Sequence, residues 1–174
     1  MNLKHSTITS AILLVFFFLA GCQVAPVKVA EKNNDVTAKN TAVMKQWVAE
    51  LNRSNLPFLQ EVIHEDFVDH NPFPGVPANK AGYISLLTKA HHEWFPGIQV
   101  TIEDIVAGDD KVAVRLSVKA KHVGNVMGAP GTGKELSWDA YAIYRLKDGQ
   151  LIDRWEMLDS FSFMSQLGLA KAAQ

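Results

Sequence analysis

Between two strand-like segments the chain carries a run punctuated by glycines, from His122 through Gly124, Gly128, Gly131 and Gly133 to Lys134. What flanks this run limits how the rest can fold. Gly128 to Lys134 fits G-x-x-x-x-G-K, the loop whose backbone N–H groups cradle phosphates. That loop needs a Ser or Thr hydroxyl for Mg²⁺ and then a helix whose N-terminus faces the anion. Here Glu135 follows, and Leu136 to Leu146 is rich in aromatic and β-branched residues, which argues for a strand. The context therefore speaks against a nucleotide loop. The run joins two strands, its glycines supplying backbone freedom, and a loop held by a sheet is a favoured place for binding groups.

The strand before it has period two. Val112, Val114, Leu116, Val118, Ala120 and His122 share one face, with Lys111, Arg115, Ser117, Lys119 and Lys121 on the other, so His122 is expected to point inward. Hairpin signals at Gly108-Asp109-Asp110 and Asp148-Gly149 join Ile98–Val106 to Lys111–Lys121 and Leu136–Leu146 to Leu151–Leu158. Helices precede the strands. Asp35 can cap a first helix with the stripe Val36, Asn40, Val43, Trp47 and Leu51, beside Met44 and Val48. A second starts at Asn55 with Pro57 in its first turn and turns Phe58, Leu59, Val62 and Ile63 to the core. Phe67 to Asn71 leads into a Pro/Gly-rich turn, and a third helix runs from Asn79 to about Trp94, with Tyr83, Leu86, Leu87, Ala90 and Trp94 on one face. Phe161 to Leu169 reads as a closing helical segment. Helices first and an antiparallel meander after them give an α+β class.

The N-terminus reads as a targeting segment: Lys4 precedes the apolar run Ala11 to Ala20, too short to span a membrane and typical of a signal peptide. It ends in Leu19-Ala20-Gly21-Cys22, which resembles a bacterial lipobox and implies lipidation of Cys22 with cleavage before it. The expected organisation is a signal peptide over residues 1–21, a lipidated cysteine and tether over 22–34, and one domain over 35–174. Cys22 is the single cysteine, so disulfides, thiolate metal sites and cysteine nucleophiles are excluded from the domain. The chain after residue 21 holds 16 Lys+Arg against 18 Asp+Glu, a net charge of −2 that gives nucleic-acid binding no support.

The pattern H-x-G-x-x-x-G-x-x-x-T-G-K, supplied by His122, Gly124, Gly128, Thr132, Gly133 and Lys134, is followed by a strand, the Asp148-Gly149 turn and a strand ending in Trp155 and Asp159. Upstream stand Asp66-Phe67, His70-Asn71-Pro72 and Phe95-Pro96-Gly97. In this order the motifs resemble the SnoaL-like polyketide cyclase family, also called predicted ester cyclases, over about Asp66 to Leu169. The resemblance implies a nuclear transport factor two-like fold, a curved antiparallel sheet wrapped by the N-terminal helices into a cone with an internal pocket. It also implies general acid/base catalysis on a small hydrophobic carbonyl compound, by an intramolecular aldol condensation (cyclase type) or an isomerase-type reaction, with no metal or organic cofactor.

His122 is the leading candidate for the site. Of His70 and Asn71, period two allows one to face the pocket, and His70 is favoured. The carboxylate is open. In the family the strand after T-G-K carries its acid at a position that is Ala142 here, whereas Asp139 stands three residues earlier, on the opposite face unless a bulge intervenes. Either Asp139 serves, or Asp159 or His122 takes over, or the chain binds a ligand without catalysis as a non-catalytic envelope module. Trp138, Tyr144 and Trp155 could line a pocket for a flat ligand, with core packing as the competing role. No metal site is expected: His64, Asp66, Asp69 and His70 fit no established ligand spacing, and His91 and His92 splay apart on a helix. The partners expected are the small ligand and the membrane through the lipid, with a homodimer admissible. Gln23 after Cys22 points to the outer membrane, facing the periplasm.

Overall fold

The computed structural model describes residues 30–170. The expected signal segment, Cys22 and the expected tether up to residue 29 lie outside the described residues, as does 171–174. The elements are α1 (Ala30–Asn52), α2 (Leu56–Val62), β1 (Ile63–Asp69), α3 (Lys80–Lys89) with a π-helical turn (Ala90–Trp94), β2 (Gln99–Ala107), β3 (Lys111–Lys121), β4 (Glu135–Lys147), β5 (Gln150–Leu158) and α4 (Ser160–Gln166). Strands β2 to β5 form the antiparallel meander of a curved, unclosed sheet ordered β1-β5-β4-β3-β2. At its edge β1 runs parallel to β5, a pairing that needs a long crossover and gets one from everything between the two strands. The fold is α+β with the helices on one face.

Four boundaries differ from the sequence reading, each for a local reason. Helix α1 starts at Ala30, so Asp35 lies inside it rather than capping it; Ala30, Glu31 and Lys32 are good helix formers with no Pro or Gly to stop them. Ile63 ends α2 with extended backbone and begins β1. α3 gives way to the π-helical turn, whose Phe95 N–H donates to Ala90 O at 2.9 Å. Asp159 caps α4, accepting from Ser162 N–H at 3.0 Å.

That π-helical turn is where the glycine-punctuated run docks. Trp94 O accepts from Val123 N–H at 2.9 Å and from Gly124 N–H at 3.2 Å. The approach is close enough that a Cβ on Gly124 would stand 2.3 Å from Glu93 O, and one on Gly131 would stand 1.8 Å from Val123 O. Both glycines are there because backbone passes backbone. The run closes on itself through His122 N–H to Lys134 O, 2.9 Å, and Gly133 N–H to His122 O, 2.8 Å, and β4 follows with no helix. A phosphate loop is ruled out by that geometry.

The inner face of the sheet carries the core. Met44, Trp47 and Leu51 of α1, Leu59 of α2, Phe67 of β1 and Tyr83 and Leu87 of α3 pack on Val112, Val114, Leu116, Ala140, Ala142 and Leu151. A second cluster under the glycine run joins Phe95, Val118, Ala120, Val126, Leu136, Phe163 and Leu167. Asn52 locks α1 to the edge strand: its Nδ2 donates to Val100 O at 2.9 Å and its Oδ1 accepts from Val100 N–H at 2.7 Å.

His91 is buried in the π-helical turn with Nδ1 3.1 Å from Ser54 Oγ. Burial, helped by neighbouring His92, lowers its pKa from 6.5 to about 4. Because the unfolded chain binds the extra proton and the folded one does not, stability is complete above about pH 6.5 and falls as pH drops toward 4. Urea unfolding at a series of pH values is expected to show that loss, and His91→Gln to flatten it.

Candidate active site

Register decides which side chains meet. β3 and β4 pair without interruption, placing Val114 opposite Ala142, and β4 pairs with β5 so that Ala142 faces Glu156, Tyr144 faces Arg154 and Ala140 faces Leu158. Ala142 is on the buried face, so Arg154, Glu156 and Leu158 of β5 point inward with it. From β1, Asp69 points inward too and is 2 % exposed.

These residues build a buried polar cluster. Arg154 donates through Nη1 to Asp69 Oδ2 at 2.6 Å, and its Nη2 forms an ion pair with Glu156 Oε2 at 2.6 Å. Its guanidinium lies 4.7 Å from the Tyr83 ring centroid, and the Tyr83 and Tyr144 phenols adjoin it. Burial works against charge on Arg154, but Tyr83, Glu156, Tyr144 and Asp69 outweigh it and leave its pKa well above the ordinary value. Burial raises both phenols, keeping them neutral hydroxyls.

Above the cluster opens a cavity of ≈ 420 Å³, within the usual range for small-ligand sites. Its wall is mainly apolar: Phe73 after β1, Leu86 of α3, Met127 from the glycine run, Leu158, and Phe163 and Met164 of α4. Asn71, Arg154 and Glu156 bring polar groups into it, the last two being its charged lining residues. The Glu156 side chain keeps 19 % of its surface exposed, while that of Arg154 keeps 6 %.

The residues singled out from sequence divide between this cavity, the core and the outer face. Asn71 lines the cavity, and Tyr144 lies beneath it against Arg154. His122 points inward but is fully buried beside Phe95, with Nδ1 3.3 Å from Thr132 Oγ1, and is absent from the cavity wall. The loop's contribution there is Met127. Trp138 is inward but packs on Phe95 and Phe163. Asp139 is exposed on the outer face, opposite Ser117, because no bulge interrupts β3–β4. Asp159 is the α4 cap. His70, expected at the pocket, stacks instead on Trp155 at 4.3 Å on the outer face and bonds Asp153 Oδ1 through Nε2 at 2.7 Å. Burial opposes charge on Asp153, yet hydrogen bonds from His70 and Arg145 prevail and hold its carboxyl below the ordinary range.

Arg154 and Glu156 went unread in the sequence, and Asp69 was weighed there only as part of a cluster without metal-ligand spacing. Parity counted back from Leu158 would have found the β5 pair, since residues 158, 156 and 154 share a face. Among the described residues no group of three or more His, Cys, Asp or Glu side chains is placed to hold a metal ion.

An α+β domain whose curved sheet and helices enclose an apolar cavity, with a buried acid–arginine cluster at its base, belongs to the class built around a small-molecule site. The chain belongs to the SnoaL-like polyketide cyclase family, whose model matches residues 41–167. It is 26% identical over 133 residues to aklanonic acid methyl ester cyclase DnrD of Streptomyces peucetius, covering 72% of this chain and 88% of that one. To the cyclase of the same description, DauD, from Streptomyces sp. (strain C5), it is 28% identical over 112 residues, 63% of this chain and 66% of that one. The crystal structure of AclR from Streptomyces galilaeus superposes with a TM-score of 0.69 at 26% identity, covering 79% of this chain and 90% of AclR.

His122→Ala is expected to lower stability by about 2–4 kcal/mol, as truncations in a packed core do, and to leave ligand affinity within about twofold, an effect under about 0.5 kcal/mol. Chemical denaturation and calorimetric titration check the two halves. A tenfold loss of affinity at unchanged stability would return His122 to the site.

Proposed function

We propose that the protein is a cofactor-independent cyclase acting on a small hydrophobic carbonyl compound, with Glu156 as its general base. One observation carries this assignment. Glu156 is the carboxylate that both faces inward and reaches the cavity, and it lies directly across from Ala142, where the family's acid would stand. The base has moved one strand sideways within the same layer of the sheet.

The chemistry is an intramolecular aldol addition, the ring-closing step of an aldol condensation. Glu156 takes a proton from a carbon next to a carbonyl, the resulting enolate carbon attacks a second carbonyl of the same molecule, and the new alkoxide takes the proton back. Atoms balance with no water consumed, and the mainly apolar wall suits a carbanion-like intermediate. Arg154 fixes one oxygen of Glu156 so that the carboxylate presents a defined geometry.

A second reading, a binder without turnover, is favoured by the seclusion of His122: among the described residues no imidazole stands on the cavity wall as proton shuttle. The protein's place in the envelope is proposed from its N-terminus: lipid on Cys22, residence in the outer membrane and a domain facing the periplasm. More than one acyl chain holds firmly, at about 0.8 kcal/mol per buried methylene.

Glu156→Gln keeps size and neutral hydrogen bonding but cannot take a proton. With a carbonyl substrate found by screening, it is expected to cut kcat by about 10²–10⁴-fold with binding retained, as measured by turnover and calorimetry. Binding in the parent protein with no conversion of any bound carbonyl compound supports the binder instead. Separately, Cys22→Ser is expected to move the protein from the membrane pellet to the soluble fraction on cell fractionation. Retention in the pellet would remove the anchor.

A further inference from the structure

A base tied to an arginine meets a conflict, because the partner that fixes its geometry also favours its ionised form. An Arg⁺ beside a carboxylate lowers its pKa by about 1–3 units and so weakens it as a proton acceptor. Glu156 has such a partner in Arg154, and Arg154 has a second claimant in Asp69. The Asp69 and Arg154 side chains are 2% and 6% exposed, against 19% for Glu156, so Asp69 sits deeper and does not line the cavity.

The charges around this arginine are few. Glu156 shares its strand, Asp69 approaches from β1, Tyr83 from α3 and Tyr144 from β4, while α1 contributes the uncharged Trp47, stacked on Tyr83. His70, Asp153 and Arg145 form their own group on the other face of the sheet. One guanidinium thus serves two carboxylates, and the cluster carries a formal charge of −1. Asp69 also accepts from Asn71 N–H at 3.1 Å through Oδ1, which fixes the start of the cavity wall.

We propose that Asp69 is a positioning residue: by sharing the charge of Arg154 it keeps Glu156 oriented, yet basic enough to take a proton from carbon. This rests on Glu156 being the base. Asp69 touches no substrate, and its influence passes through Arg154.

The test is a titration of the whole protein labelled with ¹³C at glutamate side-chain carboxyls, followed by NMR, with the Glu156 signal assigned by its loss in Glu156→Gln. In Asp69→Asn the second claimant loses its charge, and the Glu156 midpoint is expected to fall by about one pH unit or more, in line with the usual effect of an unshared arginine. Asp69→Glu, which restores the charge, is expected to bring the midpoint back toward the parent value. A midpoint in folded Asp69→Asn equal to that of the parent overturns the proposal. Should Asp69→Asn not fold, Arg154→Lys puts the same question, since one ammonium is not a fork that can serve both carboxylates. Its Glu156 midpoint is expected to rise, and an unchanged value overturns the proposal. The titration needs no turnover, so its outcome is independent of the Glu156→Gln assay, on which the catalytic reading stands or falls.

Discussion

The buried ion pair between Asp69 and Arg154 is the interaction on which the rest of this structure depends. It spans the one parallel seam of the sheet, tying β1 to β5 by side chains where His70 N–H to Arg154 O already ties them by backbone. Two buried charges are costly to desolvate, and such a pair adds little net stability against an apolar replacement. Losing either partner is another matter, costing about 3–5 kcal/mol because the survivor is left buried and uncompensated. The pair is therefore a constraint more than a source of stability. It dictates that β1 lie beside β5 in a register that brings Asp69 to Arg154, and Arg154 in turn holds Glu156 at the cavity.

The sheet keeps two chemistries apart by parity alone. On its inner face β5 presents Arg154 and Glu156; on its outer face it presents Asp153, Trp155 and Met157. Consecutive residues thus serve different ends. His70 and Asp69 are neighbours in the chain, yet one stacks on the outer Trp155 and the other anchors the interior. The outer face is itself apolar at its centre, where Tyr141, Ile143, Met157 and Val106 are exposed around a groove of ≈ 590 Å³. A patch of that kind is a surface on which another molecule gains by covering it.

Membership of the SnoaL-like family establishes the fold and narrows the chemistry, but a fold of this kind hosts many activities and the site has to carry its own case. Here position 142 is an alanine, and across the strand pair from it stands Glu156, the residue proposed as the base. In a sheet, the place of a charge is defined by the layer it occupies rather than by its strand. Cross-strand neighbours on one face lie about 4.5–5.5 Å apart, so Glu156 on β5 stands within side-chain reach of position 142 on β4.

The sequence by itself determined the alternation of β3 and β4, the hairpins at Gly108–Asp110 and Asp148–Gly149, the α+β order and the inward aim of His122, because each follows from local periodicity and turn chemistry. It placed Asp139 at an odd offset from Ala142, on the opposite face unless a bulge intervened, and the structure closed that alternative because β4 has no bulge against β3. Tertiary structure alone decided that β1 pairs with β5, since no local pattern in Ile63–Asp69 names a partner more than eighty residues away. From that single pairing came the burial of Asp69, the exile of His70 and the meeting of two carboxylates on one arginine. Whether the inward His122 would reach a ligand was settled the same way. Parity gave its direction, but the packing of Phe95 and the folding of the glycine run over it sealed it from the cavity, and packing between distant segments has no signature in the local pattern.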